Sequence, residues 1–241
     1  MADSKQTVLV VIPALNEGPH IAKVIKSIPG TIKAGAHEFA TRVVVIDDGS
    51  SDETAQQARA AGAVVLSHVV NTGAGGATRT GMRYAEQCGN ASLKYFVTID
   101  GDGQHATDDV QRLVEFAVKH DSKFVVGNRL HAANKTNMPI QRRLANWAAS
   151  MISLTLFGIK TKDTQSGMRL YDVEILPKIS HFTLDRYGFC TETLWHAVRS
   201  NIRVDEMPIA VSYSKEGLAK GQSVWSAMEV VRDLIRVRIA G

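Results

Sequence analysis

Two runs of apolar, largely β-branched residues stop abruptly on acid. Val43-Val44-Val45-Ile46 runs into Asp47-Asp48-Gly49-Ser50-Ser51-Asp52, and Tyr95-Phe96-Val97-Thr98-Ile99 runs into Asp100-Gly101-Asp102-Gly103-Gln104-His105. A short, continuously apolar segment is the pattern of a strand covered on both faces. Carboxylates delivered at the carboxyl ends of such strands fit the rim of an open α/β sheet, where those folds bind ligands.

The rest of the first half supports that fold class. Residues 7–12 read as a buried strand ended by Pro13, and Asn16-Glu17 opens a helix with Ile21, Val24, Ile25 and Ile28 at helical spacing. Residues 42–46 form the second strand, and Ser51 is the expected N-cap of a helix with Ala55, Ala58 and Ala61 inward. A third strand is expected over 63–70, a helix over 76–88 and a fourth strand over 95–99. Thr107 is expected to cap a helix bearing Val110, Leu113, Val114, Ala117 and Val118, before a fifth strand over 124–127. This alternation predicts a mostly parallel sheet with helices on both faces.

The second half is less regular. It predicts a helix over 140–157, a short strand over 168–171 with Asp172 capping a further helix, a helix over 191–201 and a strand over 204–213. Residues 215–221 read as a basic loop with two glycines, and 223–239 as an amphipathic helix. No linker interrupts the pattern, so one domain over residues 1–221 with a C-terminal helix over 222–241 is expected. A chain of 241 residues with 44% apolar and 22% charged residues has enough material for one large core. The net charge of +4 is compatible with an anionic ligand or an anionic membrane surface. The two cysteines, Cys88 and Cys190, form no CxxC pair, which points to a reducing compartment. The first residues carry no apolar signal region.

Asp47 and Asp48 have two readings: a turn of the usual composition, or an acceptor for a base or ribose. The second acidic cluster is more specific. Alternate side chains of an extended segment point the same way, so Asp100 and Asp102 converge on one ion, and Gln104 joins them if the backbone stays extended. Oxygen-only ligands suit Mg²⁺ or Mn²⁺. His105 reads as a hydrogen-bond partner within the loop. The stretch Asn71-Thr72-Gly73-Ala74-Gly75-Gly76-Ala77-Thr78-Arg79 precedes a helix and offers N–H groups to an anion. It lacks the Gly-Lys-Ser/Thr ending of an NTPase loop, and close packing of helix on sheet explains its small residues equally well.

Four segments occur in order: Ile12-Pro13-Ala14-Leu15-Asn16-Glu17, Val45-Ile46-Asp47-Asp48-Gly49-Ser50, Asp100-Gly101-Asp102-Gly103-Gln104-His105 and Asp163-Thr164-Gln165-Ser166-Gly167-Met168-Arg169. Together they resemble family 2 glycosyltransferases of the GT-A fold, in the branch of dolichol-phosphate mannose synthases and polyprenyl-phosphate glycosyltransferases. The resemblance implies a nucleotide-contacting turn at Pro13, Leu15, Asn16 and Glu17, although many relatives carry an aromatic residue where Leu15 stands. It implies that Asp48 reads base or ribose, that Arg79 and Gly101 line the nucleotide-sugar site, and that Asp100, Asp102 and Gln104 hold the metal. Gly127-Asn128-Arg129 resembles a Gly-Ser-Arg that brings Arg129 to the phosphates. Arg142 or Arg143 matches an arginine near an acceptor phosphate, and Lys215 and Lys220 lie in a loop that closes over the diphosphate in relatives.

The implied reaction is inverting and metal-dependent, from a GDP- or UDP-linked sugar to a polyprenyl phosphate. Asp163 is the candidate base should the acceptor be a hydroxyl of a soluble sugar or protein; a nucleotidyltransferase is the further alternative. The helix over 144–159, with Trp147, Met151 and Leu154, comes directly after Arg142 and Arg143 but is too short and broken to span a bilayer. Peripheral attachment to the cytoplasmic face of a membrane is the expectation. No nucleic-acid partner is expected, and oligomerisation is left open.

Overall fold

β1 (Thr7–Ala14) runs through the middle of the sheet with both faces covered. Parallel partners flank it: β3 (His37–Asp47) on one side and β5 (Leu93–Thr98) on the other. The computed structural model describes residues 6–88, 92–130, 140–186 and 188–212. Lys215, Lys220 and the helix expected over 222–241 lie outside the described residues, as do the side chains of Arg142 and Arg143.

The remaining strands are β2 (Thr31–Ala34), β4 (Val64–Ser67), β6 (Phe124–Asn128), β7 (Arg169–Asp172) and β8 (Val204–Pro208). The order is β2-β3-β1-β5-β7-β6-β8, with β4 also pairing with β3. Alternate residues of β1 feed two cores. Val8, Val10 and Ile12 pack with Ile21, Val24 and Ile25 of α1 (Gly18–Ser27) and with Val110, Leu113 and Val114 of α4 (Asp108–His120). Leu9 and Val11 face α3 (Gly73–Cys88) and α7 (Phe189–Arg199), through Ala77, Met82, Ala85, Leu194 and Ala197. A Cβ on Gly81 would lie 2.6 Å from Val11 Cγ1, so α3 sits on β1 only because that position is glycine. The other helices are α2 (Thr54–Ala60), α5 (Ile140–Phe157) and α6 (Leu176–Ile179), the last preceded by a 3₁₀ turn at Val173–Ile175.

Several expectations shift. Pro13 does not end β1: it pairs with Ile46, and the strand continues to Ala14. The ladder to β5 has already stopped at Val11, so the missing Pro13 N–H costs no bond there. The second strand starts at His37, as the long arm of a hairpin with β2 turning at Gly35, whose φ is 61°. Ser51 does not cap α2. Its N–H donates to Asn16 Oδ1, and Asp52 accepts the N–H of Thr54 instead.

The largest departure from a plain alternating sheet is β7. It lies antiparallel between β5 and β6. An antiparallel strand enters the sheet at the rim where its parallel neighbours leave. Residues 163–168 are thereby delivered beside Asp100 and Arg129, which a parallel strand would not do. Thr98 Oγ1 donates to Gly167 O at 2.7 Å, and Gly127 N donates to Met168 O at 2.9 Å. β8, parallel to β6, then carries residues 209–212 past the same rim.

Candidate active site

The first two rim loops are tied to each other. Asn16 adopts a left-handed φ of 55°, which asparagine tolerates better than most residues. Its N–H donates to Ser50 Oγ at 2.9 Å, and its Oδ1 accepts the Ser51 N–H at 2.9 Å. Glu17 N donates to Thr54 Oγ1 and Gly18 N to Asp52 Oδ2, so Asp52 serves the first turns of both α1 and α2. Burial works to raise the Asp52 carboxyl, but hydrogen bonds from Thr54 and Gly18 outweigh it and hold the group below the ordinary range. In the same loop Leu15 is exposed and Pro13 half-buried.

Asp48 is nearly buried and engaged on all sides. Oδ1 accepts from Thr72 N, Thr72 Oγ1 and, at 2.7 Å, His68 Nδ1; Oδ2 accepts from Gly73 N at 2.7 Å. It therefore caps α3 from the loop after β3, which is why that helix starts at Gly73 rather than at 76. His68 Nε2 meets Thr80 Oγ1 at 2.9 Å and completes the network.

The glycine-rich turn makes close backbone contacts. Gly75 and Gly76 donate their N–H groups to Asp185 O, and a Cβ on Gly75 would lie 2.4 Å from Leu184 O. Arg79 reaches the same segment, donating to Asp185 Oδ1 at 2.6 Å and to Phe182 O, with its guanidinium over the Phe182 ring. Of the two readings of this stretch, close packing is the one these contacts match, with the Gly75 and Gly76 N–H groups bonded to protein. Glu192 of α7, nearly buried, accepts from Thr183 N and Leu184 N at 2.9 Å and fixes the segment from the other side. Gly75→Ala is expected to lower stability by about 1–3 kcal/mol through overpacking against backbone. Urea unfolding midpoints check this, and a midpoint equal to wild type would refute the contact.

At the second rim, Asp100 and Asp102 both reach solvent, while Gly101 between them packs under Ile12, Ala14 and Ile21. His105 Nε2 lies 3.1 Å from Asp100 Oδ2. Gln104 N donates to Asp102 Oδ1 at 2.9 Å. Gly103 has a φ of 71°, so the extended backbone expected through this loop breaks there. The alternation that aligns Asp100 with Asp102 does not carry on to Gln104. Burial, and then the neighbouring charge of Asp100, raise the Asp102 carboxyl. Burial opposes ionisation of Asp100 as well, but His105 and the charge of Arg129 prevail and lower it.

Two adjacent like charges with oxygen-only donors fit a hard divalent ion. Among the described residues no cluster of three or more His, Cys, Asp or Glu side chains stands ready for a metal. A divalent ion here would take the carboxylate pair from the protein and complete its shell with ligand oxygens, as Mg²⁺ or Mn²⁺ can.

Beside the pair, Asp163 is fully buried and doubly bonded to Arg129. Its Oδ2 accepts Arg129 Nε at 2.8 Å and Arg129 N at 2.9 Å, and its Oδ1 accepts Arg129 NH2 at 2.8 Å. The carboxylate expected as the base for a hydroxyl acceptor is thus closed off from solvent and engaged with a guanidinium. Arg169, also buried, gathers the carbonyls of Thr164, Ser166 and Cys190 and the hydroxyl of Thr193, and so shapes the turn before Gly167. Sequence reasoning missed the structural work of Asp52, His68, Arg169 and Glu192. Their partners lie on other elements, and only the polar residue Glu192 inside the apolar stretch of α7 gave a signal.

α5 carries an exposed apolar stripe. Ile140, Leu144, Trp147, Met151 and Leu154, alternately four and three residues apart, are all exposed, while Phe157 meets the Trp195 ring edge-on at 5.7 Å. No helix among the described residues is long and apolar enough to cross a membrane.

Residues 9–180 match the sequence profile described as Glycosyl transferase family 2. The chain belongs to that family. As a family 2 glycosyltransferase it is 28% identical to the UDP-N-acetylglucosamine--dolichyl-phosphate N-acetylglucosaminyltransferase of Methanococcus voltae, over 99% of this chain and 98% of that protein. It is 27% identical to the polyprenol monophosphomannose synthase of Mycolicibacterium smegmatis, over 92% of this chain and 84% of that protein. The fold matches glucosyl-3-phosphoglycerate synthase from Mycobacterium tuberculosis, solved with Mn²⁺, UDP and glucosyl-3-phosphoglycerate. The TM-score is 0.67 and the identity 20%, over 95% of this chain and 77% of that one. The GT-A architecture expected from the four segments is therefore present, and the enzyme is a glycosyltransferase.

Proposed function

We propose that this glycosyltransferase is inverting and metal-dependent, and that it moves a sugar from a nucleotide-diphosphate sugar to a polyprenyl phosphate. The observation that carries the acceptor is the burial of Asp163 against Arg129. A hydroxyl acceptor needs a group to take its proton, and the acid nominated for that task is committed elsewhere. A phosphate is already ionised near neutral pH, so the protein has only to position it. The names of the two relatives, which carry dolichyl phosphate and polyprenol phosphate with different sugars, favour the same class of acceptor. The uncovered stripe of α5 favours a lipid surface next to the site, with the enzyme attached peripherally at the cytoplasmic face.

In this reading Asp100 and Asp102 hold a divalent ion, Mg²⁺ or Mn²⁺, which when bound neutralises charge on the diphosphate leaving group. Pro13, Leu15, Asn16 and Glu17 form the wall against the nucleoside, a guanosine or uridine. Asp48 and Arg79 hold the backbone beneath it. Arg129, aimed by Asp163, adds positive charge beside the pair, and Arg143 is proposed to meet the acceptor phosphate. Lys215 and Lys220 are proposed to meet the donor diphosphate.

The test is a donor panel: the purified chain with Mg²⁺ or Mn²⁺, a short polyprenyl phosphate and each common nucleotide sugar. Lipid-linked sugar of inverted anomeric configuration, abolished by EDTA, is the expected product. Transfer to a free sugar hydroxyl with no transfer to the lipid, or transfer of the nucleotide itself, would overturn the reading.

A further inference from the structure

His105 takes no part in the reaction proposed for this enzyme, yet its ring is placed with care. The side chain is only 3% exposed, and Nε2 faces Asp100 Oδ2 at 3.1 Å. A ring nitrogen at that distance from a carboxylate oxygen carries the hydrogen and donates it. Nδ1 is buried and has no hydrogen-bond partner among the described residues, which leaves Asp100 as the polar group that the ring serves.

Asp100 is hemmed in on a second side. A Cβ on Gly167 would lie 2.7 Å from Oδ1 and 2.9 Å from Oδ2, so the carboxylate lies directly over that glycine. Glycine below and imidazole beside restrict the carboxylate torsion. The ring is itself fastened. His105 forms an isolated bridge with Val211, Ser212 N donates to Gln104 O at 2.9 Å, and Ala210 N donates to Asp109 Oδ2 at 2.8 Å. The strand segment after β8 thus clamps the loop that carries the imidazole, and the imidazole clamps the carboxylate.

We propose that His105 is a positioning residue for the divalent ion: its Nε2–H holds Asp100 Oδ2 and so fixes the orientation of the carboxylate that would bind the cation. This rests on the reading that Asp100 and Asp102 hold the ion, and not on the identity of donor or acceptor. A hydrogen bond to the outer oxygen of a ligating carboxylate fixes its orientation, and removing such a partner typically weakens metal binding about 10- to 100-fold.

The experiment compares His105→Met with His105→Gln, two unbranched side chains of which only glutamine donates a hydrogen bond. Mn²⁺ alone is titrated into each purified protein, and free Mn²⁺ is read by electron paramagnetic resonance, with melting temperature recorded beside it. The methionine variant is expected to bind Mn²⁺ about 10- to 100-fold more weakly, and the glutamine variant to recover to within about threefold of wild type. Equal affinity in the methionine variant, or an equal loss in both variants, would overturn the proposal. Should the methionine variant fail to fold, His105→Leu takes its place as the non-donating side chain, with the same outcomes upholding or overturning the inference. A wild-type protein that takes up no Mn²⁺ would overturn the ion site itself, and this inference with it. Wild-type binding that survives unchanged in the methionine variant would sink only the role of His105.

Discussion

Asp102→Ala is expected to reduce turnover by about three orders of magnitude while the protein keeps its fold. One charged group at a preorganised site is worth about 3–4 kcal/mol in the transition state. Stability should barely move, because two effects oppose each other. The substitution removes the hydrogen bond from Gln104 N to Asp102 Oδ1, worth about 1 kcal/mol. It also removes a carboxylate held beside the like charge of Asp100. Asp100→Ala should behave differently, since it strips His105 of its partner and opens space over Gly167. Steady-state kinetics and thermal melts of both variants give the answer. Turnover by Asp102→Ala at the wild-type rate would remove the metal assignment.

What the sequence disclosed depended on distance along the chain. Asp100 and Asp102 were legible because the strand before them is apolar without interruption and the acids come at once after it. Apolar runs likewise marked the other strands of the first half, although the third, expected over 63–70, is only Val64–Ser67. The direction of β7 was not legible. Four residues give no measure of orientation, and it is decided by β7 fitting between β5 and β6 after α5 has crossed over. Yet that direction places Asp163 and Gly167 at the site. The outer hairpin of β2 and β3 was missed because an edge strand with alternating exposure lacks the continuous β-branched run of a central strand. The start of α3 was set by Asp48, which lies more than twenty residues upstream, just past the end of β3. Local propensity cannot register a cap delivered by tertiary structure. The glycine-rich turn shows the same limit: its composition allowed an anion or close packing, and only the carbonyls of Leu184 and Asp185 distinguish the two.

Asp163→Asn separates an aiming residue from a base. Asp163 is fully buried, and its partner Arg129 has a side chain only 16% exposed. Deleting one member of a buried pair leaves the other charge uncompensated, at a cost of about 3–5 kcal/mol. Asparagine keeps the volume and one acceptor, so a loss near the lower end, about 3 kcal/mol, is expected, or roughly 6–12 °C in melting temperature for a chain of this size. Turnover should fall with it, about 10- to 100-fold, because Arg129 is no longer held beside Asp100. Arg129→Met should produce a similar loss of turnover, and the double variant Arg129→Met with Asp163→Asn should lose little more than either single one, since the two act as a unit. The double variant should also regain stability relative to Asp163→Asn, because no lone charge remains inside. A catalytic base would behave otherwise. Its amide would leave the melting temperature near wild type, abolish turnover beyond the effect of Arg129→Met, and add its loss to that of the arginine. Melting curves and a double-mutant cycle in turnover distinguish the two. Full stability of Asp163→Asn with additive losses would return the carboxylate to the chemistry, and with it the hydroxyl acceptor.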